Sequence, residues 1–162
     1  MFVFGHMGGA VAAMKSFETF KQTGGVSATR FDYRLILLFS LLPDIIDKPI
    51  ALFLMPENVT SRLWAHSLLF LLGFTAALKL WAPRYAYLAI PLVVHFVLDA
   101  VWAHDTLPSL LWPVLGLSFP IYDTSVVSRW SENLHRPFII ASEMLGLVYL
   151  TFIALVKTVR IR

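Results

Sequence analysis

Long apolar stretches alternate with short polar ones along this chain, and their lengths are those of membrane helices. Arg62 to Ala82 (RLWAHSLLFLLGFTAALKLWA) and Pro137 to Val156 (PFIIASEMLGLVYLTFIALV) each supply the ~20 residues that cross a bilayer, and Tyr85 to Trp102 is marginally long enough. Phe2 to Phe17 and Phe31 to Leu42 are shorter, separated by a polar stretch containing Gly24-Gly25. They are expected to form a helical hairpin packed against the three spans. Leu107 to Phe119 is apolar but interrupted by Pro108, Pro113 and Gly116, which predicts a broken interfacial or re-entrant segment. No repeat, low-complexity tract or long linker divides the sequence. The expected fold is all-α: a polytopic membrane helical bundle of about five helices, with residues 1–162 forming a single domain.

Composition names the solvent. Hydrophobic residues make up 58% of the chain and charged ones 14%, against about 45–50% and about 25% in soluble domains. The formal charge of +3 forms no continuous basic face, so nucleic acid is not an expected partner. Without cysteine there are no disulfides and no thiolate ligands, and any metal must be held by nitrogen and oxygen. The opening MFVFGHMGG has no Lys or Arg before its apolar stretch and carries a His within it, which reads as a retained helix and not a cleaved signal. With alternating helices, nine of the thirteen positive residues fall on one side: Lys15, Lys21, Arg30, Arg34, Lys79, Arg84, Lys157, Arg160 and Arg162. That side, with the C-terminus, is the cytoplasmic one by the positive-inside rule. All five histidines and Asp44, Asp47, Asp99 and Asp105 then gather toward the outer face.

Six of these residues have metal-ligand chemistry: His6, Asp44, Asp47, His66, His95 and Asp99. His95 and Asp99 sit at i and i+4, so imidazole and carboxylate share a helix face and can reach one cation, or one another's helices as a hydrogen-bonded pair. Ionisable groups inside a membrane helix are costly unless paired or ligating. In LLPDIIDKP, Asp44 and Asp47 flank a helix-to-loop junction where hard oxygen donors suit divalent ions, or where one caps a helix and the other pairs with Lys48. His66 follows Arg62 by four residues, and His6 lies among Gly5, Gly8 and Gly9. Either histidine also fits a plain packing role.

Taken in order, His6, LLPDIIDKP, HSLLF after Arg62, HFVLDAVW and LLWPVLG resemble the membrane-bound metal-dependent hydrolases of bacteria and archaea, also described as LexA-regulated inner-membrane hydrolases. The resemblance covers most of residues 1 to 119. That family is distantly similar to zinc-dependent phospholipase C, which implies a mostly helical fold and a multi-metal phosphoesterase centre. Carried over position by position, His6, Asp44, His66, His95 and Asp99 become metal ligands, and Asp47 a ligand or a base behind them. The spacing here is Asp-Ile-Ile-Asp where many members look like Asp-x-Asp, which leaves open whether both carboxylates ligate.

The function expected from this is hydrolysis of a phosphoester, such as a phospholipid or lipid-linked phosphate, at the outer face of a prokaryotic inner membrane. The cofactor is a divalent metal, Zn first and Mn or Mg next. Arg62, with Lys48, Arg129 or Arg136 as further candidates, would bind phosphoryl oxygens, and Asp47 or Asp105 would take or relay the proton. The aromatic stretch from Trp102 to Trp130 would serve as an interfacial belt and lid. Two other classes fit the same residues: a divalent-metal-binding or transport protein without catalysis, and a structural membrane protein with a His/Asp interhelical network. A serine hydrolase does not fit, since Ser67 beside His66 diverges from it by about 100 degrees on a helix.

Overall fold

The computed structural model describes residues 3–24, 31–56, 58–100 and 107–160. Among them the chain is all-helical, with eight α-helices, two 3₁₀ turns and one isolated β-bridge. Helix α1 (Val3–Thr23) is followed by α2 (Tyr33–Ser40) and α3 (Leu42–Phe53). A 3₁₀ turn at Trp64–His66 leads into α4 (Leu68–Trp81), and a second at Pro83–Leu88 into α5 (Ala89–Ala100). The short α6 (Leu107–Leu110), α7 (Val126–Leu134) and the long α8 (Pro137–Arg160) complete the order.

Start and stop signals account for most boundaries. Asp32 caps α2 by accepting from the Arg34 amide, Ser67 caps α4 through the Phe70 amide, and Ser125 caps α7 through the Ser128 amide. Pro43 has no amide hydrogen and its ring excludes the carbonyl four residues back, so α2 ends at Ser40 and the chain bends at Leu41. Pro43 then sits in the first turn of α3, where proline is tolerated. The apolar stretch predicted to stop at Leu42 therefore resumes as a new helix carrying both Asp44 and Asp47.

Among the described residues, one helix is long and apolar enough by itself to cross a bilayer, Pro137–Val156. In that window Gly146 alone is buried, and Leu145, Val148, Phe152 and Leu155 lie open. A helix apolar on every side and exposed on nearly every side suits hydrocarbon surroundings. Of the other two expected spans, Arg62 to Ala82 divides into an irregular segment, the 3₁₀ turn and the 14-residue α4, while Tyr85 to Trp102 begins in the second 3₁₀ turn and continues as α5 to Ala100, where the described residues pause. Conversely, α1 runs 21 residues, about 31 Å at 1.5 Å per residue, beyond the expected Phe17.

Helix α1 is the hub, packing against α8, α5 and α2. Its crossing with α8 depends on missing side chains: a Cβ on Gly146 would stand 2.1 Å from the Phe4 carbonyl oxygen, and one on Gly8 2.6 Å from Gly146 Cα. At the same crossing the Glu143 carboxylate accepts from the Phe4 and Gly5 amides at 2.8 and 3.0 Å, satisfying free donors at the α1 N-terminus. Toward the other end, Ala10, Met14, Ile36 and Leu88 form the buried apolar core.

Candidate metal centre

Five residues from four elements converge beside the start of α1: His6 of α1, Asp44 of α3, His66 of the 3₁₀ turn, and His95 and Asp99 of α5. Two overlapping triads, His6–Asp44–His95 and His66–His95–Asp99, each present donor atoms within 4.8 Å of one another. The His6 and His95 rings are stacked, with centroids 4.0 Å apart. Asp99 Oδ1 is 3.4 Å from His6 Nε2, and Asp44 Oδ1 is 3.4 Å from His66 Nε2. All three imidazoles are buried.

What the imidazoles present is fixed by what lies behind them. His95 Nδ1 is 2.7 Å from the Ser40 carbonyl oxygen, which only accepts, so Nδ1 carries the hydrogen. That carbonyl is available because α2 terminates there, and the last carbonyls of a helix lack intrahelical partners. His66 Nδ1 is 2.7 Å from Asp47 Oδ2, and a carboxylate likewise draws the hydrogen to Nδ1. Both rings therefore turn a bare Nε2 lone pair inward, and these two nitrogens lie 3.3 Å apart. Two neutral acceptors at that distance repel unless a proton or a metal ion lies between them. Ligands about 2.0–2.1 Å from a tetrahedral ion are separated from each other by about 3.3–3.4 Å, so the spacing fits one. His6 adds to this, since neither of its buried ring nitrogens makes a hydrogen bond among the described residues. Imidazole and carboxylate donors of this kind suit a divalent ion such as zinc, and Ser40 and Asp47 do what outer partners of metal-bound histidines commonly do.

Asp47, expected as a ligand or proton acceptor, stands behind the cluster. Its Oδ2 accepts from the Leu63 amide at 2.7 Å, the His66 amide at 3.1 Å and His66 Nδ1, and its Oδ1 from the Ala65 amide at 3.1 Å. Four donors occupy both oxygens. The carboxylate thus gathers the amides of the turn before α4, as an anion does at a helix N-terminus, and orients His66 in doing so.

The rim is cationic. Lys48 Nζ meets Asp44 Oδ2 at 2.7 Å and Arg62 Nε meets Asp99 Oδ2 at 2.8 Å, with 26% and 27% of the two cationic side chains exposed. Each carboxylate thus gives one oxygen to a rim cation. Arg62 is also held by its backbone: Ser109 donates to its carbonyl at 2.7 Å and Thr60 accepts from its amide at 3.2 Å. Among the described residues, three carboxylates (Asp44, Asp47, Asp99) face two permanent cations, a balance of one negative charge before any ion binds.

Of the other candidates, Arg129 reaches the carbonyls of Thr124 and Val59 and covers the Tyr122 ring, while Arg136 is exposed on the α7–α8 connection. Asp105 and Trp102 lie outside the described residues. The rest of the aromatic stretch folds over the segment before Arg62: Val59 bridges to Ile121, Thr60 donates to the Pro120 carbonyl, and Trp130 stands 5.9 Å from Lys48 Nζ and 3.4 Å from Ser61 Oγ. One participant was not singled out from the sequence, the Ser40 carbonyl, for which the helix-breaking Pro43 was the only local signal. Glu143 of α8 lies beside Phe4 and Gly5, at the same end as His6.

The model of the YdjM inner membrane protein family matches residues 1–161. No curated protein and no solved structure matches the chain.

Proposed function

The chain belongs to the YdjM inner membrane protein family, and on that premise we propose that it is a membrane-embedded, metal-dependent hydrolase of a phosphoester such as a phospholipid or lipid-linked phosphate. The observation that carries this reading is the pair of oriented imidazoles, whose Nε2 lone pairs face each other at 3.3 Å among two carboxylates and a third histidine. His6, Asp44, His66, His95 and Asp99 would hold the ion, zinc by preference and manganese or magnesium otherwise. When bound, such an ion supplies Lewis acidity toward water and toward a phosphoryl oxygen.

The protein's own groups supply the rest. Arg62 and Lys48 stand at the mouth, where a guanidinium and an ammonium bind non-bridging oxygens of an anionic ester. Asp47 keeps His66 in its working tautomer, and burial of the three histidines keeps bulk water from the donors. Helices α1, α4 with its preceding turn, α5 and α8 form the polytopic bundle in this reading. The C-terminus is cytoplasmic by the excess of positive residues on that side, and the site lies at headgroup depth on the outer face. A transport role is less well supported, because the core beyond the cluster is the apolar set Ala10, Met14, Ile36 and Leu88.

Detergent-purified protein loaded with zinc or manganese should release headgroup or phosphate from some member of a mixed panel of phospholipids and polyprenyl phosphates. His95→Ala should abolish this, and Arg62→Lys should raise KM more than it lowers kcat. Folded, metal-loaded protein that is inert on the whole panel would leave a binding protein and end the hydrolase reading.

A further inference from the structure

We infer that the cluster is built for one divalent ion per chain, and that the rim cations Arg62 and Lys48, in place of further ions, receive the oxyanion of the ligand. The inference rests on the metal-dependent reading above but departs from the multi-metal centre that the sequence resemblance implied. Three independent features carry it.

Among the described residues the donors do not divide into two sets. His95 belongs to both triads, and its Nδ1 is committed to the Ser40 carbonyl, so it has one nitrogen to give and gives it to one centre. His66 is limited in the same way by Asp47. Asp44 and Asp99 each spend an oxygen on Lys48 or Arg62, which leaves neither free to span two ions with both oxygens.

The distances describe a single centre. Paired sites hold ions about 3.5–4 Å apart and need ligand sets spread around both. Here the inward-facing donors stand 3.3 Å apart for the two Nε2 atoms, 3.4 Å for His6 Nε2 and Asp99 Oδ1, and 3.4 Å for His66 Nε2 and Asp44 Oδ1, the separation of about 3.3–3.4 Å between neighbouring ligands of one tetrahedral ion.

Charge points the same way. The described site begins at one negative charge, and a single divalent ion brings it to one positive, which attracts an anion without repelling the ion. A second divalent ion would bring it to three positive in a largely buried pocket, with no further carboxylate among these residues to offset it. In paired-ion phosphoesterases the second ion clamps the phosphoryl oxygens. Here Arg62 and Lys48 occupy that position, each anchored through a carboxylate whose other oxygen faces the centre.

The test is a metal count joined to an anion titration on full-length protein in detergent. Chelator-stripped protein is titrated with Mn²⁺ and followed by elemental analysis and electron paramagnetic resonance, and the loaded protein is then titrated with inorganic phosphate by calorimetry. One Mn²⁺ per chain is expected, with the spectrum of an isolated ion and phosphate binding that weakens at least tenfold in Arg62→Ala while the count stays at one. Lys48→Met, at a partly exposed position, repeats the phosphate measurement should Arg62→Ala fail to fold. Two ions per chain, or a spin-coupled spectrum, would overturn the single-ion inference and leave the hydrolase reading standing. Phosphate affinity unchanged in a folded rim variant would overturn the role of the rim. No bound Mn²⁺ in the wild type would overturn both this inference and the metal-dependent function.

Discussion

Replacing Asp47 by Asn tests the idea that a buried carboxylate builds the centre from behind, because the two side chains have the same shape and differ in charge and hydrogen-bonding capacity. In the native protein Oδ2 accepts from the Leu63 and His66 amides and His66 Nδ1, and Oδ1 from the Ala65 amide. The best placement of an Asn puts its oxygen at the Oδ2 position and its NH₂ against the Ala65 amide. Three bonds then fall from charge-assisted to neutral strength, a loss of about 1 kcal/mol each, and one buried amide goes unpaired for about 1–3 kcal/mol. Relief from burying a charge returns part of this, leaving a net destabilisation of about 2–4 kcal/mol. The outer partner of a metal-bound histidine is commonly worth 10- to 100-fold in metal affinity. Asp47→Asn should therefore lower both the denaturation midpoint of the metal-free protein in detergent and its zinc affinity in competition with a chelator. A variant with unchanged midpoint and with zinc affinity within twofold of wild type would refute the reasoning, whatever its activity.

Three further outcomes are expected. Gly146→Ala forces a methyl into the Phe4 backbone and should cost about 1–3 kcal/mol of stability by thermal unfolding, whereas Gly73→Ala, with nothing within 4 Å, should be neutral or slightly stabilising; equal effects would mean that the α1–α8 crossing is not tight. Glu143→Gln weakens the acceptor for the Phe4 and Gly5 amides and should lower stability by about 1 kcal/mol while hydrogen exchange at Phe4 and Gly5 accelerates. The chain has no cysteine of its own, so Asn58→Cys should react with an impermeant thiol reagent from outside the cell and Arg160→Cys only after the membrane is breached; the opposite pattern would invert the orientation.

Much of the centre was legible in the sequence. An apolar chain keeps ionisable residues only where something compensates them, and His6, Asp44, His66, His95 and Asp99 do meet in space. The i, i+4 spacing of His95 and Asp99 on α5 was sufficient for that pair. The division of labour between Asp44 and Asp47 was not legible, because a spacing of three residues says only that both lie near one face of a helix. Which carboxylate reaches the pocket and which sinks against a neighbouring turn depends on where that turn packs. Hydropathy also overestimated the span beginning at Arg62. It registers that Leu63, Trp64 and Ala65 are apolar, but not that a carboxylate 16 to 19 residues earlier in the chain draws their amides away from a regular helix.

The sequence by itself determined the apolar character of this protein, its helical class and the residue types that meet at the candidate centre, because apolarity and residue type are additive along a chain. Only the tertiary structure decided the partners of His66 Nδ1 and His95 Nδ1, the commitment of Asp47 to backbone amides and the pairing of each rim cation with a particular carboxylate. Those outcomes depend on atoms from separate helices arriving within hydrogen-bonding distance, and no local pattern of residues encodes such a distance.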